Sequence, residues 1–487
     1  MTLGQPFDWL EQPPAPMAGV RGIPPVAGLQ PWRGRAAARF AVPFDPLRIA
    51  LFLLTVVSIG RIHQQVAAIA LLRPALVLVI AATVYAVLNP RLVSTTNVKR
   101  TWPARVVAGL AVLACLSAPF GISLGGSAQA ILDVYSKVLV FAVLVMAAIR
   151  SARDLWFFVW AYVISTGAVV WIALFATHLT LEAGDPALRM SGLSGAYDAN
   201  DAGVVLLVGL PLTLLAFQVS KAPGKLLSAL IALGIGAALA RTGSRSAFLG
   251  AIAVGLMLLF YVKSVSFVKR LVFGAVIVVP LILAAPAGYW ERINTIMHPT
   301  QDYNWDEIDG RRQLWARGMT YMLDYPVFGI GIGNFSRAEA TISEKARLAP
   351  RGKGIRWTAP HNSFVEVGAE LGVPGLLLFS SLVFGGIWGM ARLQRRLPRS
   401  WARGSPEERL LYLGSGYLAT AMAGFAVAGF FVSHAYMDHF YFLVALIVGT
   451  YGCVQGPRRA AAIPANAPVM SPGPGGGQGA PAARFGG

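Results

Sequence analysis

The 487-residue sequence has few charged residues, which make up 13% of the chain. Because a soluble domain averages about 25% charged residues, the composition excludes an ordinary water-soluble protein. Cysteine is almost absent: the two copies, Cys115 and Cys453, both lie inside apolar runs. A disulfide framework and a cysteine-ligated metal are therefore excluded. Acidic residues are also scarce, at 22 against 41 basic residues, and the resulting net charge of +19 needs an explanation.

Hydrophobic residues make up 56% of the chain and are gathered in long runs. Since a helix rises about 1.5 Å per residue, roughly 20 apolar residues cross the ~30 Å hydrocarbon core of a bilayer. The runs lack the alternation of transmembrane β-strands. The sequence therefore predicts an all-α, polytopic integral membrane protein with about twelve spans. We place the spans at residues 47–60, 67–88, 104–120, 131–149, 155–177, 202–219, 226–241, 246–262, 271–287, 375–391, 410–432 and 436–454.

The distribution of basic residues predicts the orientation of these spans. With the amino terminus inside, the short cytoplasmic loops hold seventeen basic residues and the short outer loops hold four. This bias follows the positive-inside rule and explains the net charge without a nucleic-acid partner. Both termini are therefore expected in the cytoplasm.

Composition divides the chain into five regions. Residues 1–45 are predicted to be a disordered, Pro- and Arg-rich cytoplasmic arm, and residues 46–287 hold spans one to nine. Residues 288–362 form one large loop on the outer side, and a loop of that length is usually functional. Residues 363–455 hold a short outer helix and spans ten to twelve, and residues 456–487 form a disordered cytoplasmic Pro/Gly tail.

Arginines on the outer side need a reason, because that side is otherwise poor in basic residues. The sequence "ARTGSRSAF" places Arg241 and Arg245 around a tight Thr-Gly-Ser turn. Arg311 and Arg312 lie in the first turn of a helix predicted from Asp309 or Gly310 up to Pro326. The planar guanidinium group suits phosphate, and a helix N-terminus favours an anion. The plain alternatives are snorkelling to lipid headgroups for the first pair and a solvated helix face for the second.

Two further motifs suggest ligands but have plainer interpretations. The glycines of "VFGIGIGNF", residues 329–333, lack the strand-turn-helix context of a nucleotide loop, and a tight turn with close backbone packing is expected. The sequence "SHAYMDHF" offers His434, Asp438 and His439, which could bind a metal. An interfacial turn is the favoured interpretation.

The stretch "PHNSFVEVGAELGVPGLLLF" places polar residues directly before an apolar run. Ser363 and Glu366 fit a capping box. Asn362, Glu366 and Glu370 are then four residues apart on one helical face. The glycines and proline of "GVPG" interrupt the helix, so a short helix at the outer surface is expected, with His361 beside it. His361 can act as a neutral proton acceptor; a hydrogen-bonded loop histidine is the plain alternative.

Several ordered segments over residues 185–390 together resemble a known family. The segments are "RMSGLSGAYDANDAG", "RTGSRSAFLG", "GRRQLW", "YPVFGIGIGNF" and "PHNSFVEVGAELGVPGLLLF". As a set they resemble the O-antigen ligase and O-antigen polymerase (Wzy-like) family of bacterial envelope polysaccharide enzymes. The resemblance implies an inner-membrane glycosyltransferase that works at the periplasmic face without a metal or cofactor. It also implies partners: an undecaprenyl-diphosphate-linked oligosaccharide, a glycan, lipid or protein acceptor, membrane lipids and other polysaccharide export proteins.

The resemblance also implies roles for individual residues. His361 would be the base that activates the acceptor hydroxyl. Apart from the resemblance, we expect Glu366 to support His361, and Asn200, Asn362 and Glu370 to position the acceptor. The residues expected to bind the diphosphate are Arg189, Arg241, Arg245 and either Arg311 or Arg312.

Two other classes of protein remain open at this point. A membrane transporter of an anionic solute or lipid-linked glycan should place charges along a path near the bilayer midplane. The arginines instead gather at the outer side, which favours an enzyme. A structural scaffold would give no reason for these arginines. Ligase and polymerase remain equally open, as do the sugar and the linkage.

Overall fold

The computed structural model describes residues 45–181, 185–191, 197–262, 266–298, 310–348 and 358–462. These residues are helical except for turns and one small sheet. The predicted arm at residues 1–45, except for its last residue, and residues 463–487 of the predicted tail lie outside the described residues. Residues 456–462, predicted to begin the disordered tail, instead continue the last helix.

The first part of the chain contains eight α-helices. Arg73 takes a left-handed conformation and Pro74 starts a new helix, so the predicted span 67–88 is broken into two pieces. This break is expected from proline, which has no N–H for the preceding turn. A π-helical turn, Ile131–Tyr135, joins α6 to α7, and another, Ile172–Ala176, extends α8. The helices are α1 (Pro46–Gly60), α2 (Ala67–Leu71), α3 (Pro74–Leu88), α4 (Thr95–Arg100), α5 (Trp102–Phe120), α6 (Leu124–Ala130), α7 (Ser136–Ala148) and α8 (Ala152–Trp171).

The middle of the chain corrects the all-α prediction in one place. Strands β1 (Leu179–Leu181) and β2 (Leu188–Met190) form an antiparallel pair in which Thr180 lies opposite Arg189. The strands are three residues long, too short for a period-two pattern to reveal them in the sequence. The helices that follow are α9 (Ala199–Val219), α10 (Ala222–Thr242), α11 (Arg245–Leu256, extended by a π-helical turn at Met257–Tyr261) and α12 (Phe267–Leu283).

The last part of the chain holds the long loop and the carboxy-terminal helices. The predicted amphipathic helix is confirmed as α14, which begins after Gly310 and buries the expected face of Leu314, Gly318, Tyr321 and Met322. The elements here are α13 (Tyr289–Asn294), α14 (Arg311–Asp324), α15 (Phe335–Thr341), α16 (Glu344–Leu348), α17 (Ser363–Arg396), α18 (Pro406–Gly429) and α19 (Asp438–Ala462).

Several described helices are long and apolar enough to cross a membrane, so the helical membrane class is confirmed. Shorter apolar helices, Pro46–Gly60, Pro74–Leu88 and Arg245–Tyr261, coincide with three further predicted spans. The total of twelve stays a prediction. The seven longer segments are Trp102–Phe120, Leu124–Ala148, Ala152–Ala176, Ala199–Val219, Ala222–Thr242, Ser363–Arg396 and Pro406–Gly429.

Helices α9 and α18 form the centre of the bundle. Almost every residue from Ala202 to Ala216 in α9 is buried, and α18 is buried over most of its length. A helix that is apolar on all sides must be covered on all sides, and α8, α10, α11 and α17 provide that cover.

One buried ion pair anchors the end of the bundle where α1 begins. Arg48 is 1% exposed and pairs with Asp45 and Asp154. Its Nη2 also donates to the Ala148 carbonyl over 3.0 Å. These contacts hold the start of α1 against the junction between α7 and α8.

The glycine-rich loop after α14 is a tight turn, as predicted. Its three glycines, at 329, 331 and 333, have φ values of +67°, +91° and +74°. The backbone N–H groups of Ile330 and Gly331 donate to the carbonyls of Ala369 and Glu370 over 2.9 and 3.0 Å. The loop therefore lies directly against α17, where a Cβ at Gly329 would meet the Glu370 backbone at 2.3 Å. On its other side α6 leaves no room at the next two glycines, since Cβ atoms there would lie 2.6 Å from Ser127 Oγ and 2.3 Å from the Ala130 Cβ.

The same contact interrupts α17 at Gly372. This residue has φ +70° and ψ −170°, outside the helical region. The next N–H, of Val373, donates to the Pro326 carbonyl instead of continuing the helix. The predicted break between the short outer helix and the apolar run is therefore confirmed, although most of that short helix is buried.

Gly372→Ala should destabilise the protein because alanine is strained at this φ and its Cβ would lie 2.5 Å from the Pro326 carbonyl oxygen. Backbone strain of this kind alone costs about 1–3 kcal/mol. The measurement is the midpoint of thermal unfolding of the purified protein in detergent. Gly274→Ala is the control, because its Cβ meets nothing within 4 Å. Equal midpoints for the two variants would contradict this view of the break.

Candidate active site

Two arginines lie against one buried carboxylate at one end of the bundle. Asp185, 5% exposed, precedes β2 and pairs with Arg292 of α13. The Nη1 atom of Arg189 lies 4.0 Å from the same carboxylate. Both guanidinium groups are buried, at 6% and 4% exposure. In a low-dielectric interior, a buried charge is costly unless it is paired, so removing any one of these three groups would destabilise the fold.

The two arginines also hold the Thr-Gly-Ser turn between α10 and α11. The Nε of Arg189 donates to the Thr242 carbonyl over 3.1 Å, and the Nε of Arg292 donates to the Gly243 carbonyl over 2.7 Å. Gly243 has φ +56°, which permits the sharp reversal. The predicted tight turn is confirmed, and its exposed carbonyls are satisfied by arginine.

Arg245 begins α11 directly after this turn and is 8% exposed. Its Nη1 donates to Thr295 Oγ1 over 2.6 Å, and that hydroxyl donates to the Arg292 carbonyl. Arg241 lies in the last turn of α10 and donates to the Thr177 carbonyl over 3.1 Å. Arg245 is therefore joined to the Asp185 cluster, whereas Arg241 contacts the end of α8.

Arg292 was missed in the sequence, although a signal for it exists. It lies in "YWERIN", a few residues beyond the predicted span 271–287 and on the predicted outer side. Like Arg241 and Arg245, it is a basic residue on a side of the membrane that is predicted to hold few of them. Its partner Asp185 is separated from it by more than a hundred residues, and no local pattern predicts that contact.

The start of α9 connects the arginine cluster to a pair of buried histidines. Asn200 accepts a hydrogen bond from Arg189 Nη2 over 3.2 Å. The next residue, Asp201, lies 2.7 Å from His434 Nε2, and His434 Nδ1 lies 3.1 Å from His439 Nε2. Since a carboxylate only accepts, an ionised Asp201 fixes His434 Nε2 as the donor.

The histidine pair is not arranged as a metal site. Among the described residues, no group of three or more His, Cys, Asp or Glu side chains could hold a metal ion. Both imidazoles are buried, at 1% exposure for His434 and 0% for His439. The pair instead packs the turn between α18 and α19 against α9.

His434 is also joined to the first turn of α17. Its backbone N–H donates to Ser363 Oγ over 2.9 Å, and that hydroxyl donates to the Val432 carbonyl. The predicted capping box at Ser363 and Glu366 is therefore wrong. The N-cap is Asn362, whose side-chain oxygen accepts from the N–H groups of the second and third residues after it over 2.9 and 3.1 Å. Tertiary contacts occupy the serine hydroxyl that the local pattern assigned to the cap.

His361 lies immediately before this cap in a left-handed conformation with φ +48°. A non-glycine residue in this region is uncommon and is often found at functional sites. The preceding carbonyl, of Pro360, accepts a hydrogen bond from Trp315 Nε1 over 3.0 Å. Arg311 is one turn before Trp315 on α14, so it lies on the same helical face. Arg312 is exposed.

Glu366 and Glu370 both have partners inside the protein. Glu366 Oε2 accepts from the Ala435 N–H over 3.3 Å. Glu370 is 3% exposed, and its Oε1 accepts from the Phe335 N–H over 3.1 Å. Glu366 therefore borders the histidine turn, whereas Glu370 holds the end of the glycine loop.

A third buried ion pair stiffens the long loop. Arg317 of α14 makes a two-point contact with Glu339 of α15, with a shortest distance of 2.6 Å, and Glu339 is fully buried. Tyr321 donates to the same carboxylate over 2.9 Å. Burial, and then the Glu339 charge, raise the pKa of the Tyr321 hydroxyl, which therefore stays a donor. This network fixes α14, the helix that contacts Pro360.

These contacts define a helical membrane protein whose polar cluster gathers at one end of the bundle. Arg189 reaches the start of α9 through Asn200, and the neighbouring Asp201 contacts His434. His434 in turn contacts Ser363, two residues after His361. Residues 227–380 match the family model described as O-antigen ligase. The resemblance to the O-antigen ligase and polymerase family is therefore confirmed over this segment. No curated protein matches the chain.

Asp185→Asn should destabilise the protein, because it leaves buried arginines beside a neutral amide. Breaking a buried ion pair by removing one partner costs roughly 3–5 kcal/mol. We expect a clear fall in the midpoint of thermal unfolding. Glu344→Gln, at an exposed position of α16, serves as the charge-matched control. If both variants unfold at the wild-type temperature, Asp185 does not hold the cluster.

Proposed function

We propose that the protein is an inner-membrane glycosyltransferase that transfers or polymerises an undecaprenyl-diphosphate-linked glycan at the periplasmic face. The family match over residues 227–380 supports the activity class. The observation that carries the proposal is the cluster of Arg189, Arg245 and Arg292. This cluster is connected through Asn200, Asp201 and His434 to Ser363, two residues after His361. With both termini in the cytoplasm, the end of the bundle that holds the cluster faces the periplasm.

The diphosphate is the leaving group of the proposed reaction. Cleavage of the bond between the anomeric carbon and the diphosphate oxygen leaves negative charge on that oxygen. Donors already oriented toward this position stabilise the charge without reorganising. Arg245 is the first candidate, since the Asp185 cluster holds it from behind through Thr295. Arg189, Arg241 and Arg311 or Arg312 would complete the anion site.

His361 would act on the acceptor. Its neutral imidazole accepts the proton of the acceptor hydroxyl as the oxygen attacks the anomeric carbon. A direct displacement of this kind inverts the configuration and needs neither a metal nor a second carboxylate nucleophile. Glu366 would support His361 from the histidine turn, and Asn200, Asn362 and Glu370 would position the acceptor and the first turn of α17.

The experiment that tests this proposal measures lipid-linked glycans by mass spectrometry in cells that lack the protein and in the same cells complemented with wild-type or variant protein. The lipid-linked repeat should accumulate without the protein, and the wild-type protein should clear it. His361→Ala should reduce clearance by roughly 10²–10⁴-fold, the usual contribution of a general base. His178→Ala is the control because that histidine is exposed. An unchanged lipid-linked pool in every strain would favour the transporter alternative.

Arg245→Lys should also impair transfer, because lysine cannot present two planar donors to a diphosphate. We expect a loss of roughly 10²-fold in the rate, as for removal of one oxyanion donor. The measurement is the rate of product formation at matched protein levels. Arg347→Lys, at an exposed position of α16, is the matched control and should retain activity. Wild-type rates in Arg245→Lys would argue against a diphosphate contact.

A further inference from the structure

A second polar site lies at the opposite end of α17 from His361. There a cavity of about 500 Å³ opens between α5, α17 and α19. This volume is within the roughly 300–1,000 Å³ range of ligand pockets. Because α17 has 34 residues, its two ends are separated by up to ~50 Å. The cavity is therefore distinct from the candidate active site.

Aromatic side chains form the walls of this cavity. Trp102 comes from α5, Trp388 from α17 and Tyr451 from α19. The Trp102 Nε1 lies 3.5 Å from the Tyr451 hydroxyl. Gly385 allows the close approach of α5, since a Cβ there would lie 2.8 Å from the Trp102 ring. Trp and Tyr are typical of the membrane-water interface, where one side of a residue is apolar and the other is wet.

Two arginines line the mouth of the cavity. The Arg392 guanidinium lies 4.8 Å from the centre of the Trp388 ring, and Arg396 follows one helical turn later. Among the described residues, neither has a carboxylate within ion-pair distance. The cavity thus combines two cations that lack a charged partner in this part of the chain with an apolar, aromatic wall.

We propose that this cavity binds an anionic phospholipid of the cytoplasmic leaflet. Its phosphodiester would contact Arg392 and Arg396, whose planar donors match phosphate oxygens. Its acyl chain would lie along Trp102 and Trp388. Basic pockets between transmembrane helices on the cytoplasmic side are known to bind such headgroups. Free phosphate shares the charge but would leave the aromatic wall uncovered.

The test is native mass spectrometry of the full-length protein in detergent, titrated with phosphatidylglycerol or with phosphatidylcholine of the same chain length. Wild type should bind phosphatidylglycerol preferentially. The double variant Arg392→Gln/Arg396→Gln should lose roughly thirtyfold in affinity for phosphatidylglycerol, since each cation near the surface contributes about 1 kcal/mol. This readout does not depend on glycan transfer, so its failure would leave the proposed function untouched.

The control variant is Arg395→Gln/Arg399→Gln, which removes the same charge from the last turn of α17 and the 3-10 helix after it, outside the cavity lining. It should bind like wild type. Equal losses in both double variants would overturn the site in favour of general attraction to the basic surface. An absence of preference for phosphatidylglycerol in wild type would overturn it as well.

Two further experiments test whether the apolar part of the cavity binds an acyl chain. Ser381→Leu adds apolar volume inside the cavity and should weaken phosphatidylglycerol binding with both arginines intact. Inorganic phosphate at millimolar concentration should fail to displace the bound lipid. Unchanged binding by Ser381→Leu, or complete displacement by phosphate, would overturn the lipid assignment in favour of a simple anion site.

Discussion

One end of the helical bundle depends on the buried ion pair between Asp185 and Arg292, with Arg189 beside it. Charges in a low-dielectric interior are stable only when they are paired and hydrogen-bonded. The pairing holds the β1–β2 hairpin and α13 against the turn at Thr242–Ser244. Through Thr295 it also fixes the Arg245 guanidinium. An anion site built on this cluster would be rigid before any ligand arrives.

The candidate site combines the matched family segment with parts of the chain outside it. Residues 227–380 supply the turn with Arg245 and the loop with His361. Arg189 and Asp201 precede this segment, and His434 follows it. The contacts of Asp201 with His434 and of His434 with Ser363 bring these parts together. The candidate site is therefore complete only when residues outside the matched segment are included.

Much of the fold could be predicted because it depends on local composition and periodicity. Apolar runs located the long helices, and the buried face of α14 followed from its spacing. The Thr-Gly-Ser turn and the glycine loop followed from the conformational freedom of glycine. The hairpin could not be predicted because its strands are only three residues long. The Asn362 cap and the partner of Arg292 depend on contacts between distant residues, Ser363 with Val432 and Asp185 with Arg292.

The central claim is that this protein transfers glycan from a lipid diphosphate. The most direct measurement places the purified full-length chain in liposomes with undecaprenyl-diphosphate-linked oligosaccharide, an acceptor and a metal chelator. We expect undecaprenyl diphosphate to be released in equimolar amount to the glycan transferred, with inversion at the anomeric carbon. A donor that remains intact, or that only crosses the membrane, would contradict the claim.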